Sequence, residues 1–175
     1  MTMPTATPVL VTYEESLLRP ESSLEEVVNG ELHIMPPPAA KHNRILQRVL
    51  RSLYAEMDAA LDFAWDVGFL IAEEPRLRYR IPDLAIADRR LLDLLAQEGA
   101  VYARFPPAVV IEVLSPANRK GDMAQLLQDY RDLRVREIVF IDPDKRVVSI
   151  DGIVVTGERF TIGGVVIEMK QLFVS

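Results

Sequence analysis

Two acidic residues lie inside apolar segments, where an ionised carboxylate is costly to bury. Glu112 lies in Val109–Leu114 with aliphatic residues on both sides, and Asp83 lies in Ile81–Ile86 directly after a proline. A buried carboxylate is destabilising unless it is paired or binds a cation. If the two segments are neighbouring strands, both carboxylates can converge on one sheet face and hold a divalent cation. The spacing leaves a second interpretation equally open: two strand-end acids, one solvated and one paired with an arginine.

The composition restricts which metal such a site could bind. The chain has no cysteine, which excludes disulfides and thiolate ligands, and its only histidines are His33 and His42, which disfavours a multi-histidine zinc site. Oxygen ligands are typical of Mg²⁺ and Mn²⁺. We therefore expect Mg²⁺ or Mn²⁺ if a metal binds.

Basic residues form two arrays that could follow a phosphate backbone. One is a helical stripe of Lys41, Arg44, Arg48 and Arg51. The other alternates along one face of the strand that leads to Asp83, as Arg76, Arg78 and Arg80. The net charge of −6 argues against indiscriminate nucleic-acid binding, because phosphate contacts supply most of that affinity. Solvated basic faces remain the alternative for both arrays.

The elements that must position these residues follow from hydrophobic periodicity. Alternating runs on either side of Asn29-Gly30 predict a hairpin over Leu24–Met35, and a helical period over Lys41–Met57 predicts a helix. Thr12, with Glu15 three residues later, predicts a capped helix over Tyr13–Leu18. The remaining predicted elements are paired strands over Phe63–Ala72 and Arg76–Ala87, a helix over Arg89–Glu98, a buried strand over Ala108–Leu114, a helix over Met123–Leu133, a strand over Glu137–Ile141 and short C-terminal strands.

This order predicts an α/β or α+β domain around a mixed sheet flanked by helices. At 175 residues we expect one domain over 1–175, with residues 1–11 as a loose arm. No apolar run approaches the ~18–20 residues of a membrane span, and the N-terminus lacks the features of a signal peptide. The cytoplasm is therefore the expected compartment.

Several segments together resemble the PD-(D/E)xK nucleases. Pro82-Asp83 followed by Glu112-Val-Leu-Ser-Pro116 matches the nuclease pattern, and the second segment is its most specific part. More narrowly, the chain resembles the Uma-type family, which is common in bacteria and classed among restriction endonucleases. The likeness extends in order over residues 12–15, 28–38, His42, 81–84, 111–116, Asp122, Tyr130, 140–143 and 167–173.

The resemblance implies a restriction-endonuclease-like fold and a site in which Asp83 and Glu112 ligate Mg²⁺ with the Val113 carbonyl. It also implies that Glu31, after the hairpin glycine, is a further acid near the site, although an exposed hairpin glutamate is the alternative. His42 either lines the cleft or simply begins a helix. Such a metal lowers the pKa of a bound water and neutralises charge on the scissile phosphate.

The chain lacks the lysine that the family pattern implies for phosphodiester hydrolysis. Two residues after Glu112 stands Leu114, and the position on the next helix where Uma-type relatives carry a lysine is Leu126. Such a lysine offsets transition-state charge, a role typically worth ~10²–10³ in rate. The nearby candidate substitutes are Lys120, in the loop before this helix, and Gln125, although a lysine in such a loop is more often simply solvated.

Three functions compete on this sequence. The first is a Mg²⁺-dependent endonuclease that cuts DNA, with Asp83, Glu112, Lys120, Glu31 and His42 at its site. The second is a catalytically lapsed nuclease fold that binds nucleic acid or a protein partner, which Leu126 favours. The third is a dimerisation module, and apolar C-terminal strands leave a homodimer open.

Overall fold

Residues 10–19, 25–35, 37–115 and 122–173, the part of the chain that the computed structural model describes, form five helices and thirteen strands. The helices are α1 (Tyr13–Leu17), α2 (Ala40–Tyr54), α3 (Arg89–Glu98), α4 (Asp122–Asp132) and α5 (Met169–Leu172). The strands are β1 (Glu25–Val28), β2 (Glu31–Ile34), β3 (Leu61–Ala64), β4 (Gly68–Ala72), β5 (Arg78–Arg80), β6 (Leu84–Asp88), β7 (Tyr102–Ala103), β8 (Val109–Val113), β9 (Glu137–Asp142), β10 (Val147–Ile150), β11 (Ile153–Val154), β12 (Arg159–Ile162) and β13 (Val165–Glu168).

A six-stranded mixed sheet of order β11-β10-β9-β8-β6-β3 lies at the centre. β8 and β9 run parallel, while β8 is antiparallel to β6 and β9 is antiparallel to β10. The two parallel strands are almost continuously apolar, which is expected where both faces of a sheet are covered. The mixed sheet flanked by helices confirms the predicted fold class.

Alternation along β8 separates the two cores of the central sheet. Ile111 and Val113 pack with residues of α2, such as Val49, on one face. Val110 packs on the other face with residues of α4, including Tyr130. Glu112 follows the same alternation and therefore points toward α4.

A second, five-stranded sheet of order β2-β1-β5-β4-β7 contains the N-terminal hairpin. The turn at Asn29 (φ 52°) and Gly30 (φ 83°) has the positive φ values that a tight hairpin turn requires. β1 pairs with β5 through Val27 and Tyr79. The predicted hairpin is confirmed, and its outer strand β2 lies at the sheet edge.

The predicted pairing of 63–72 with 76–87 is correct only in part, because each segment divides between the two sheets. The chain turns at Asp66 (φ 59°) between β3 and β4. β3 pairs with β6 in the central sheet, whereas β4 pairs with β5 in the second sheet. A period of two residues identifies a strand but does not identify its partner.

The predicted arm is anchored at its last two residues. Leu10 forms a bridge with Glu31, and the amide of Val11, which is buried, donates to the carbonyl of Gly30 at 2.8 Å. Thr12 then begins α1 with the expected capping box. Residues 1–9 lie outside the described part of the chain. Within the described residues, no helix has the length and apolar character needed to cross a membrane.

Candidate active site

The register of the central sheet brings Asp83 and Glu112 together. Leu84 pairs with Ile111, so one further step of the same antiparallel register places Asp83 opposite Glu112. Residues directly opposite each other project from the same face of a sheet. Burial raises the pKa of Glu112 most, and the charge of Asp83 and a hydrogen bond with it raise this pKa further.

One oxygen of Asp83 is held by two donors. Its Oδ2 lies 2.8 Å from Nε2 of His42 and accepts a hydrogen bond from the Val113 amide at 2.7 Å. His42 is in the first turn of α2, so it both begins a helix and reaches the acidic pair. Burial alone would lower the pKa of His42, but its hydrogen bond with Asp83 and the carboxylate charge outweigh burial and raise it. Oδ1 of Asp83 is the oxygen left to bind a cation.

Glu112 is buried beneath α4, with 6% of its surface exposed. Its Oε1 accepts a hydrogen bond from the hydroxyl of Tyr130, a fully buried residue of α4. Burial, followed by the charge of Asp83, raises the pKa of Glu112 well above its usual range, and the hydrogen bond from Tyr130 only partly opposes this. The apo site therefore favours a proton on Glu112, which a divalent cation would displace.

The donor set of this pair fits a hard divalent cation. Within the described residues, no lysine or arginine forms an ion pair with Asp83 or Glu112. His42 and a bound cation are therefore the groups that could offset the charge of these two adjacent carboxylates. The same part of the chain contains no group of three or more His, Cys, Asp or Glu residues arranged to hold a metal. A cation here would therefore take Oδ1 of Asp83, an oxygen of Glu112, a backbone oxygen such as that of Val113, and water.

A further buried acid, Glu26, acts on Glu112 through its charge and was not predicted. Its Oε1 accepts from the amide of Ile81 at 2.9 Å, and its Oε2 lies 2.8 Å from Nη1 of Arg80. Its negative charge adds to the rise in the pKa of Glu112. The available signal was charge complementarity between glutamates in β1 and arginines in β5, two segments that lie far apart in sequence.

Glu31, the auxiliary acid that the resemblance implied, is placed elsewhere. It pairs with Val28 on the outer strand β2, and the neighbouring Gly30 contacts Leu77, at the end of β5 away from Asp83. The distance along β5 from Leu77 to Ile81 is roughly 13 Å at ~3.3 Å per residue. Among the described contacts, none joins Glu31 to the acidic pair.

The predicted array on β5 is not a free basic face. Arg80 is buried and pairs with Glu26 and with Asp129 of α4, whose Oδ2 is 2.6 Å from Nη2 of Arg80. Arg78 pairs with Asp129 at 3.0 Å and with Asp132 at 2.8 Å. These two arginines join the second sheet to α4. Because acids from distant parts of the sequence pair with them, the prediction that they form a free phosphate-binding face is corrected. Arg76, of the same array, is exposed.

The cations of α2 remain at the surface. Lys41 and Arg44 are exposed, while Arg48 is half-buried and donates to the carbonyl of Leu172 at 2.7 Å. Lys41 pairs with Asp144 in the turn after β9. This array keeps its predicted character as a basic face.

The position of the family lysine lies in the core. Leu126 is 5% exposed and packs with Val110 and Phe140 in the core beneath α4, as expected from the helical period. It lies one helical turn before Tyr130, on the face that contacts Glu112. Lys120, the candidate substitute, lies outside the described residues.

Comparisons with known proteins place this arrangement in context. A solved structure titled as a putative nuclease belonging to DUF820, from Anabaena variabilis, superposes with a TM-score of 0.72 and 17% sequence identity. The match covers 93% of this chain and 97% of that one, and it shows a shared fold. No curated protein matches this sequence. A model of the family Uma2, described as "Putative restriction endonuclease", matches residues 10–154, and the chain therefore belongs to this family.

Proposed function

We propose that this protein is a Mg²⁺- or Mn²⁺-dependent endonuclease that hydrolyses DNA phosphodiester bonds. The observation that carries the proposal is the pair of Asp83, half-buried just before β6, and Glu112, buried on β8, which face each other without a lysine or arginine partner among the described residues. Membership in a family of nuclease-like proteins supports the same chemistry. A divalent cation bound by these carboxylates would lower the pKa of water and neutralise charge on the phosphate.

The protein's own residues hold this pair in position. His42 and the Val113 amide fix one oxygen of Asp83, and its other oxygen would be available to a cation. Tyr130 likewise fixes one oxygen of Glu112 by a hydrogen bond. Ligands held by neighbouring hydrogen bonds lose less freedom on binding, and removal of such partners typically costs ~10–100-fold in metal affinity or activity.

The hydrolysis reaction also requires a proton for the leaving group and a positive charge near the phosphate. Hydrolysis forms a bond between water oxygen and phosphorus, breaks the ester bond, and delivers a proton to the departing alkoxide. We assign the cationic role to Lys120, the first lysine after Glu112 in the sequence.

The test uses closed circular DNA, which reports internal cleavage. Supercoiled plasmid and circular single-stranded DNA are incubated with Mg²⁺, Mn²⁺ or EDTA. We expect metal-dependent cleavage that falls at least ~10²-fold in Asp83→Ala. Asp93→Ala, which changes an exposed acid on α3, is the matched control and should be unaffected. Equal cleavage by Asp83→Ala and wild type would show that the acidic pair is not the active site.

A second function is favoured by one specific observation, the burial of Leu126 at the position of the family lysine. On this alternative the fold has lost catalysis and retains binding to nucleic acid or a protein. If wild type leaves both circular substrates intact with either metal and still binds DNA, the alternative replaces the first proposal.

A further inference from the structure

A basic groove lies between α2 and the turn that joins β9 to β10. It has a volume of about 730 Å³, and its charged lining consists of Lys41, Arg44, Arg48 and Arg146. Pro143 and Phe173 complete its apolar wall. Neither Asp83 nor Glu112 lines the groove, so it is a surface distinct from the acidic pair.

The charge of the basic groove opposes that of the whole protein. Four cations line it, and among the described ion pairs the acid that joins one of them is Asp144, which pairs with Lys41. These five groups give a local charge of +3, in a chain whose net charge is −6. Concentrating positive charge on one surface of an acidic protein restricts attraction of polyanions to that surface.

Two of the groove cations are fixed before any ligand arrives. Arg48 donates to the carbonyl of Leu172 at 2.7 Å, and Arg146 donates to the carbonyl of Phe173. A guanidinium has five N–H donors, so one such bond leaves others for a ligand. Arg44 is exposed and, within the described residues, forms no ion pair, so it is the cation most readily available to a ligand.

The groove begins next to the acidic pair. His42, which contacts Asp83, lies between two groove residues, Lys41 and Asn43. Val113, which also contacts Asp83, is paired with Ile141, and Pro143 of the groove follows two residues later on the same strand end. The groove therefore leads away from the site along α2.

The spacing of the cations matches a nucleic-acid strand. Lys41, Arg44 and Arg48 span roughly 10 Å along the helix at ~1.5 Å per residue. One DNA strand advances ~3.4 Å per phosphate along its axis, so this span corresponds to about three steps from one phosphate to the next. A protein partner would not require evenly spaced cations beside a phosphodiester-cleaving site.

We propose that the basic groove binds the phosphate backbone of the DNA substrate next to the scissile phosphate. This inference rests on the proposed function for its choice of ligand, and it adds Arg146 and the direction in which the strand leaves the site. Arg44 is the main electrostatic contact, and Arg48 and Arg146 form the fixed wall.

The test measures equilibrium binding rather than cleavage. A fluorescein-labelled 20-base-pair duplex is titrated in EDTA at several salt concentrations, by fluorescence anisotropy. The logarithm of the binding constant falls with the logarithm of the salt concentration, with a slope of about 0.9 per phosphate contact. Loss of one contact should therefore weaken binding ~8-fold at 0.1 M salt and lower the slope by about 1. We expect this for Arg44→Gln and recovery in Arg44→Lys.

The matched control is Arg136→Gln, which removes an exposed arginine just before β9, at the opposite end of the strand from the groove. It should leave both affinity and salt slope unchanged. Equal losses in Arg44→Gln and Arg136→Gln, salt-independent binding, or polyglutamate competing as strongly as DNA would each overturn the proposal. Salt-dependent binding through Arg44 without any cleavage would support the groove while removing the proposed function.

Discussion

At the scale of single residues, the apolar Leu126 stands at the position where the family resemblance implies a lysine. Leu126 and Tyr130 lie one turn apart on α4, and Tyr130 contacts Glu112. A cation at position 126 would therefore project toward the acidic pair, whose negative charge would offset its burial. The leucine instead adds no positive charge there and contributes to the core.

We predict that Leu126→Lys raises the rate of DNA cleavage by ~10-fold or more, since a fixed cation beside the reacting phosphate stabilises developing charge. Leu126→Met preserves an apolar side chain of similar volume and should give no increase. Single-turnover cleavage of plasmid in Mn²⁺ measures both. If the lysine variant folds and cleaves no faster than Leu126→Met, a side chain at position 126 does not reach the phosphate.

The complementary change is Lys120→Ala, which should lower the residual activity of wild type because Lys120 is assigned the cationic role. Lys170→Ala, an exposed lysine on α5, serves as the control. In a Leu126→Lys background, Lys120→Ala should lower the cleavage rate less, because the lysine at position 126 then supplies the positive charge. A double-mutant cycle of the two substitutions measures this coupling. Full activity in Lys120→Ala would remove Lys120 from the mechanism.

At the scale of elements, the ion pairs between β5 and α4 connect the second sheet to the site. Asp129 is fully buried and accepts from Arg80, Arg78 and Gln125. The next residue, Tyr130, contacts Glu112. The position of α4, and with it the donor to Glu112, therefore depends on charges carried by a strand of the other sheet.

We predict that Arg80→Ala lowers the free energy of unfolding by about 3–5 kcal/mol, because it leaves Glu26 and Asp129 buried without their main cationic partner. Arg76→Ala, just before β5 and exposed, should change it by less than about 0.5 kcal/mol. Urea unfolding followed by circular dichroism compares the two variants. Similar small effects in both would mean that the network contributes little to folding.

Local patterns predicted the elements well, because each depends on residues close in sequence. The helix over Arg89–Glu98 and the capping box at Thr12 follow directly from periodicity and spacing. Asp83 and Glu112 could be found because an acid within an apolar strand is costly. Glu26 and Arg80 could not, since their pairing spans 54 positions and no local pattern encodes it. The division of strands between two sheets was missed for the same reason.

At the scale of the whole molecule, the acidic pair links folding stability to pH, and a bound metal would extend this link. Burial, and then the charge of Asp83, raise the pKa of Glu112 well above its ordinary value of 4.5. Below pH 4.5 the group is protonated in both the folded and the unfolded state. As the pH rises toward its folded pKa, the unfolded chain loses the proton first, so this contribution to stability declines. His42, whose pKa is also raised from 6.5, acts in the same direction.

We predict that the melting temperature in EDTA falls as the pH rises from 5 to 8, and that Mg²⁺ or Mn²⁺ increasingly restores it. Metal binding requires ionised carboxylates, so the competing proton weakens it at low pH. At a metal concentration 100 times the dissociation constant the stabilisation is about 2.7 kcal/mol. Glu112→Gln, which keeps the side-chain shape without the charge, should lose the metal effect and much of the pH dependence. A melting temperature indifferent to both metals at every pH would show that Asp83 and Glu112 do not form a metal site.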